Sequence, residues 1–139
     1  CGSDTAKTTF TIEVPLQITD RIANDGTLTL AFQFKPEAFS GPAKSRVWVI
    51  GYAPKNQMFG LMNDVYLYRT EAGVWDVLYQ SFDFDKIAFM HIAELKDSQE
   101  MIIPTGVRKS DLALLGVEIH FFYQVEDGVL KYLGKVFPH

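Results

Sequence analysis

Apolar and polar residues alternate with a period of two over much of the chain. In the opening stretch every second residue is apolar, and these residues are Phe10, Ile12, Val14, Leu16 and Ile18. The same alternation returns over residues 28–34, 65–67 and 117–123. A period of two is typical of strands that bury one face. The sequence therefore predicts eight or nine strands, near residues 8–18, 27–35, 46–52, 58–69, 74–80, 86–95, 99–104, 115–125 and 129–136.

Turn-forming residues separate the predicted strands. They include "NDG" at 24–26, "SGP" at 40–42, "EAG" at 71–73 and "EDG" at 126–128. No window shows a convincing helical pattern, and the stretches "EAFSGPAKS" and "KSDLALLG" are expected to hold at most a single helical turn. Many short strands at this spacing indicate an all-β sandwich or barrel.

A weak internal repeat links two parts of the chain. A shift of 55 residues places "VYLYRTEAGVWDVLYQSF" on "HFFYQVEDGVLKYLGKVF" without gaps. Repeats of this length also build propellers, but those typically close with roughly four to eight blades, and this chain holds fewer than three units. The favoured interpretation is a strand–turn–strand pattern used twice in one sandwich.

Composition and charge narrow the class of protein. The chain has 139 residues, 47% of them hydrophobic, which is enough for one ordered domain without disulfides. Residues 1–7 are predicted to form a flexible polar leader and residues 8–139 a single domain. The net charge is -4 and no basic cluster is visible, which argues against nucleic acid and anionic membrane surfaces as partners.

Three stretches carry a resemblance to a known family: "NDVYLYRTEAGVWDVLYQSF", "LKDSQEMIIPTGV" and "LGVEIHFFYQVEDGVLKYLGKVF". Over residues 46–137 the chain resembles an immunoglobulin-like β-sandwich module of bacterial surface proteins and lipoproteins. The resemblance implies an antiparallel sandwich, an extracellular location at the bacterial cell surface, and a non-enzymatic role in adhesion or structure. This chain has "IIPTG" where the family tends to have "IYSG", and its N-terminal strand is not part of the family pattern.

The chain opens on its only cysteine. Cys1 is followed by the small and polar residues "GSD". Mature bacterial lipoproteins begin in this way, with lipid on the cysteine thiol. The sequence therefore predicts lipid attachment at Cys1, which would be the protein's only link to a membrane. A bond to another chain, an arbitrary boundary of the chain and a thiol without a role are the alternatives.

The strand predicted over residues 8–18 has two possible places. Pro15 cannot donate to a ladder, so the strand is expected at or beside a sheet edge. It either starts the sheet of its own domain or adds to the sheet of a neighbouring subunit. Because head-to-tail addition of this kind builds filaments, the first hypothesis for function is a surface filament subunit whose partner is another copy of itself. The alternative is a monomeric surface lipoprotein that binds other surface proteins or carbohydrate.

The candidate residues for catalysis or metal binding are few. His91, His120 and His139 show no zinc-ligand spacing, and no nucleophile motif is present. Asp83 and Asp85 share one face of a predicted strand, but no loop adds the six to eight oxygens, roughly, that calcium prefers. The sequence therefore predicts no enzyme, no cofactor and no metal site.

Aromatic residues are the remaining candidates for ligand binding. "HFFY" at 120–123 puts aromatic rings on both faces of one strand, so Phe121 and Phe122 are expected to face opposite ways. Exposed aromatic rings can stack on sugars, whereas a core role or a protein interface would bury them. The candidates for a carbohydrate site are Trp48, Trp75 and Phe122.

Overall fold

The computed structural model describes residues 17–78 and 84–139. The helix α1 spans Lys109–Leu115, and short 3-10 helices span Gln57–Phe59 and Phe84–Lys86. The nine strands of the described residues are β1 (Ile18–Ile22), β2 (Thr27–Phe34), β3 (Ser45–Ala53), β4 (Val65–Arg69), β5 (Trp75–Val77), β6 (Met90–Ile92), β7 (Gln99–Arg108), β8 (Glu118–Val125) and β9 (Lys131–Phe137). The predictions for Cys1, the leader 1–7, Phe10, Ile12, Val14 and Leu16 lie outside the described residues.

The strands form two antiparallel sheets. The smaller sheet has the order β1-β2-β7. The larger sheet has six strands, with the order β9-β8-β3-β4-β5 and with β6 also paired to β3. On one side β3 pairs with β8 along nearly its whole length, and on the other side it pairs first with β6 and then with β4. The predicted all-β antiparallel sandwich is confirmed.

The strand order is that of an immunoglobulin-like sandwich. In variable-type immunoglobulin domains strands A, B, E and D share one sheet, while G, F, C, C′ and C″ share the other. The two sheets here follow this connectivity when β1 to β9 are read in chain order. The difference is β6, which holds the position of strand D in the chain but pairs with β3 in the larger sheet.

Several predicted boundaries were wrong. The opening strand is predicted to end at residue 18, but Ile18 pairs with Phe32 and the ladder continues to Ile22. Most of the strand predicted from residue 58 is a 3-10 turn and loop, and β4 begins at Val65. "KSDLALLG" forms α1, whose seven residues make about two helical turns where at most one was expected. The helix ends at Gly116, which lies in the left-handed region with φ 67.

The repeated sequence corresponds to two hairpins. Its first copy contains β4 and β5, and its second copy contains β8 and β9. These hairpins lie on opposite sides of β3, because β3 pairs with both β4 and β8. The repeat is therefore a hairpin pattern used twice within one sheet, as the sequence favoured.

The main core lies between the two sheets. It is built mainly from alternate residues of β2, β3, β7 and β8, and its fully buried members include Leu28, Leu30, Val47, Ile103 and Ile119. Phe121 packs edge-on against Phe32, with ring centroids 5.2 Å apart. The inward face of "HFFY" thus carries Phe121 and Tyr123, as the period of two requires.

A second, smaller cluster covers part of the outer face of the larger sheet. Trp48 and Ile50 of β3 pack there against Ile87 and Ala88, which follow the second 3-10 helix. The indole nitrogen of Trp48 donates to the carbonyl of Phe84 at 2.8 Å. This covering segment hides one end of the outer face, and no other described residues cover the rest of it.

Candidate ligand groove

The open part of the outer face forms a groove across four neighbouring strands. Its volume is about 540 Å³, and its lining residues are Ile50, Tyr52, Tyr66, Glu118, His120, Phe122 and Tyr132. The ladder sets their positions, because Tyr52 lies opposite Tyr66 on one side and opposite Glu118 on the other. Phe122 lies opposite Tyr132. We call this surface the aromatic groove.

Two pairs of rings form the walls of the aromatic groove. Tyr52 and Tyr66 have ring centroids 5.1 Å apart, and Phe122 and Tyr132 have centroids 5.0 Å apart. Tyr66 is 51% exposed and Tyr132 is 56% exposed. Since neighbouring strands lie about 4.8 Å apart, the strands of Tyr66 and Tyr132 are separated by roughly 14 Å. The groove therefore crosses four strands, with an aromatic pair at each end.

Polar groups lie between the two ring pairs. The hydroxyl of Tyr132 is 2.7 Å from Nδ1 of His120, and Nε2 of the same ring is 3.3 Å from a carboxylate oxygen of Glu118. The Glu118 side chain remains 41% exposed. These three side chains therefore offer hydroxyl, imidazole and carboxylate groups to a ligand in a groove that is otherwise mostly apolar.

A further acidic group, Asp64, lies beside the wall formed by Tyr52 and Tyr66. Desolvation, and then the charge and hydrogen bonding of Asp64, raise the pKa of Tyr52 above its usual value. Asp64 is also held in place, because it accepts a hydrogen bond from the backbone nitrogen of Lys55 at 2.8 Å. The Tyr52 hydroxyl thus stays protonated at neutral pH and points to a fixed carboxylate.

The predicted ligand aromatics lie in three different places. Phe122 lines the aromatic groove. Trp48 is on the same face but only 1% exposed, because the covering segment lies over it. Trp75 packs against the main core, and its indole nitrogen donates to the carbonyl of Thr105 at 2.8 Å. The structure therefore does not bring Trp48 or Trp75 into the groove.

Sequence reasoning missed most of the groove. The sequence marks His120 only as a candidate metal ligand, and it does not single out Tyr52, Tyr66, Glu118 or Tyr132 as a binding site. One signal is present in the sequence: Tyr52 lies four positions from Trp48, and Glu118 and His120 lie four and two positions from Phe122, so alternation places each set on one face. Which of these outward residues stay uncovered depends on contacts between distant segments.

Other site types are not found in the part of the chain that the structure describes. No three His, Cys, Asp or Glu side chains are grouped so that they would hold a metal ion in residues 17–78 and 84–139. No described helix is long and apolar enough to span a bilayer.

Comparison with known proteins gives no relative for this chain. No family model matches it, and no curated protein or solved structure matches it at a significant level. The resemblance to modules of bacterial surface proteins therefore stays a prediction, and the function is argued from the aromatic groove.

Proposed function

We propose that this protein is a non-enzymatic binding module that takes carbohydrate in the aromatic groove. The observation that carries the proposal is the placement of two exposed tyrosines, Tyr66 and Tyr132, at opposite ends of one open groove. Exposed rings at both ends of a channel suit an extended ligand with repeated apolar faces. An oligosaccharide has this character, because each pyranose ring presents a face of C–H groups.

The polar groups of the groove support the same class of ligand. A sugar needs partners for its hydroxyl groups as well as a ring on which to stack. Tyr132, His120 and Glu118 supply donors and acceptors between the ring pairs. The acidic groups in and beside the groove, Glu118 and Asp64, favour a neutral or basic glycan over an acidic one.

The first test is a glycan array followed by calorimetry on the purified protein. Tyr66→Ala and Tyr132→Ala should each weaken binding of an array hit by about tenfold, a loss of roughly 1.4 kcal/mol, since each removes one stacking surface. Leu114→Ala serves as the control, because Leu114 is 62% exposed on α1 and outside the groove.

The proposal fails if no glycan binds, or if both tyrosine variants bind as tightly as the control. Circular dichroism on each variant would show that the sandwich remains folded. Each truncation also removes a cross-strand ring contact, and Tyr132→Ala a hydrogen bond to His120, so the free energy of unfolding is expected to fall by about 1–2 kcal/mol, too little to unfold the domain.

A second candidate is the filament subunit, and an edge strand favours it. The ten residues of β7 border the smaller sheet, and no described strand pairs with the outer edge of β7. An open edge of this length is a template for an added strand from another chain. The expected donor is the segment 8–18, of which only Gln17 and Ile18 lie within the described residues.

Electron microscopy separates this candidate from the first. The full chain should form filaments, and a chain without residues 1–16 should give isolated particles that retain β1. A peptide of residues 8–16 added to the shortened chain should raise its melting temperature. Isolated particles from both proteins would contradict the filament candidate and leave the carbohydrate proposal untouched.

A further inference from the structure

One end of the aromatic groove combines two tyrosine rings with a carboxylate. The ladder places Tyr66, Tyr52 and Glu118 in one row across β4, β3 and β8, since Tyr52 pairs with Tyr66 on one side and with Glu118 on the other. Residues directly opposite each other in an antiparallel ladder have Cβ atoms about 5 Å apart. The Glu118 side chain, which is 41% exposed, therefore lies beside the rings and is open to a ligand.

His120 does not neutralise Glu118 while its ring is uncharged. Nε2 of His120 lies 3.3 Å from Oε1 of Glu118, and Nδ1 lies 2.7 Å from the hydroxyl of Tyr132. An ionised carboxylate only accepts hydrogen bonds, so Nε2 carries the proton of the neutral ring and Nδ1 accepts from the tyrosine hydroxyl. This arrangement gives Oε1 a donor but no positive charge. Oε2 of Glu118 has no hydrogen-bond partner among the described residues.

The two carboxylates at this end of the groove have no lysine or arginine partner in the described part of the chain. Lys135 lies opposite His120 in the ladder of β8 and β9, but no ion pair joins it to Glu118. Desolvation and then the charge of Asp64 raise the pKa of Tyr52, and the charge of Glu118 adds to the rise. The negative potential of both carboxylates therefore reaches the hydroxyl of Tyr52.

The tyrosine rings add a second attraction for a cation. The centroids of Tyr52 and Tyr66 are 5.1 Å apart, and Tyr66 is 51% exposed. The face of an aromatic ring is negative, so it attracts an ammonium group within about 6 Å of the ring centroid. An ammonium group on a ligand that stacks against these rings therefore lies within reach of the Glu118 carboxylate as well.

We propose that the carbohydrate bound in the aromatic groove contains amino sugars with free amino groups, and that Glu118 binds one ammonium group beside Tyr52 and Tyr66. This inference rests on the carbohydrate proposal and narrows it to a cationic glycan. An ammonium group supplies three donors, and its hydrogen bond to a carboxylate is strengthened by the two charges. An N-acetylated amino sugar has the same ring but no positive charge, so the groove should distinguish the two forms.

The test compares two forms of one probe, short β-1,4-linked oligomers of glucosamine with free amines or with N-acetylated amines. The oligomer is extended and repeats its amine on every ring, so an amine can reach Glu118 in any register. Calorimetry at a pH where the amines are charged should show about tenfold tighter binding of the free-amine form. Added sodium chloride should weaken the binding of that form more than the binding of the N-acetylated form.

Glu118→Gln locates the charge that makes the distinction. The amide has the same shape and still offers an acceptor to Nε2 of His120, but it carries no charge. The ratio of the two affinities should therefore fall from about tenfold to about twofold or less. Asp97→Asn is the matched control, because it removes one negative charge at an exposed position outside the groove, and it should keep the wild-type ratio. An equal fall of the ratio in both variants would contradict a site at Glu118.

The outcomes separate this inference from the carbohydrate proposal. If the N-acetylated form bound as tightly as the free-amine form, the inference would be overturned and the groove would remain a site for neutral glycans. If neither form bound but another glycan of the array did, the inference would be wrong and the carbohydrate proposal would stand. If no glycan bound, both would fail. Oligolysine that bound as tightly as the free-amine oligomer would show that the groove selects charge and not an amino sugar.

Discussion

At the scale of single residues, Asp20 ties together three separate parts of the chain. Its carboxylate accepts from Nζ of Lys109 at 2.7 Å and lies 2.8 Å from Nε2 of His139. These groups belong to the first described strand, the start of α1 and the C-terminal residue. Partial burial raises the pKa of Asp20, but the hydrogen bonds and charges of Lys109 and His139 outweigh it, so the pKa is lower than the usual 3.8.

The lowered pKa of Asp20 predicts a pH-dependent contribution to stability. Because the folded state lowers this pKa, the contribution is fully present above 3.8 and is lost as the pH falls through the folded pKa. Asp20→Asn should reduce the free energy of unfolding by about 1–2 kcal/mol near neutral pH. The difference from wild type should shrink as the pH falls below 3.8, as urea unfolding at several pH values would show.

The control for this prediction is Asp97→Asn at an exposed position. It removes the same charge without touching the contacts of Asp20. If Asp20→Asn cost the same at every pH, its effect would come from shape or packing and not from the ionised carboxylate.

At the scale of elements, β3 is a central strand of the larger sheet, and the Trp75 side chain of β5 reaches its inward face. Gly51 lies on the inward face of β3, and a Cβ there would be 3.2 Å from the Trp75 ring. The ring cannot move away easily, because its indole nitrogen is bonded to Thr105 and its other neighbours belong to the core. The glycine in the central strand is therefore required by a side chain 24 residues later in the chain.

Gly51→Ala tests this relation between β3 and β5. The added methyl group should lower the free energy of unfolding by about 1–3 kcal/mol through overpacking. In a Trp75→Leu background the same change should cost clearly less, because the opposing ring is absent. Urea unfolding of the four proteins in this cycle gives the coupling. Equal costs in both backgrounds would show that the methyl group meets some other neighbour.

At the scale of the whole molecule, one continuous core between the sheets stabilises the fold. Adjacent residues of β7 show the two sides of this arrangement. Ile103 is 0% exposed and contacts the core, whereas Ile102 is 41% exposed on the outer face of the smaller sheet. The two side chains have the same chemistry and neighbouring backbone, so their difference is one of burial alone.

This pair predicts a large contrast in stability. Ile103→Ala should lower the free energy of unfolding by about 2–5 kcal/mol, because it opens a cavity in the core. Ile102→Ala should cost about 1 kcal/mol or less, since it removes surface that is already partly in water. Thermal and urea unfolding measured on both variants compare them directly. Similar losses would contradict the view that a single inter-sheet core holds the two sheets together.

The sequence by itself determined the strands and the direction of their side chains. Adjacent residues on a strand face opposite ways, so alternation predicts that Phe121 and Phe122 point to different faces, and the structure puts Phe121 in the main core and Phe122 in the groove. The hairpin repeat was also correctly interpreted, because turn residues and alternation are local properties. Predicted element boundaries were wrong where helix and strand signals compete. At α1 the alanine and leucine residues favour a helix, although the surrounding sequence predicts strands and turns.

Only the tertiary structure decided which outward residues are free to bind. Trp48 and Phe122 lie opposite each other on the same outer face, and the sequence treats them alike. The segment around Ile87 and Ala88 packs over Trp48, while Phe122 remains part of an open groove. The contact that covers the ring of Trp48 joins residues about 40 positions apart in the chain. Alternation carries no information on such contacts, because it reports only the direction of a side chain along its own strand.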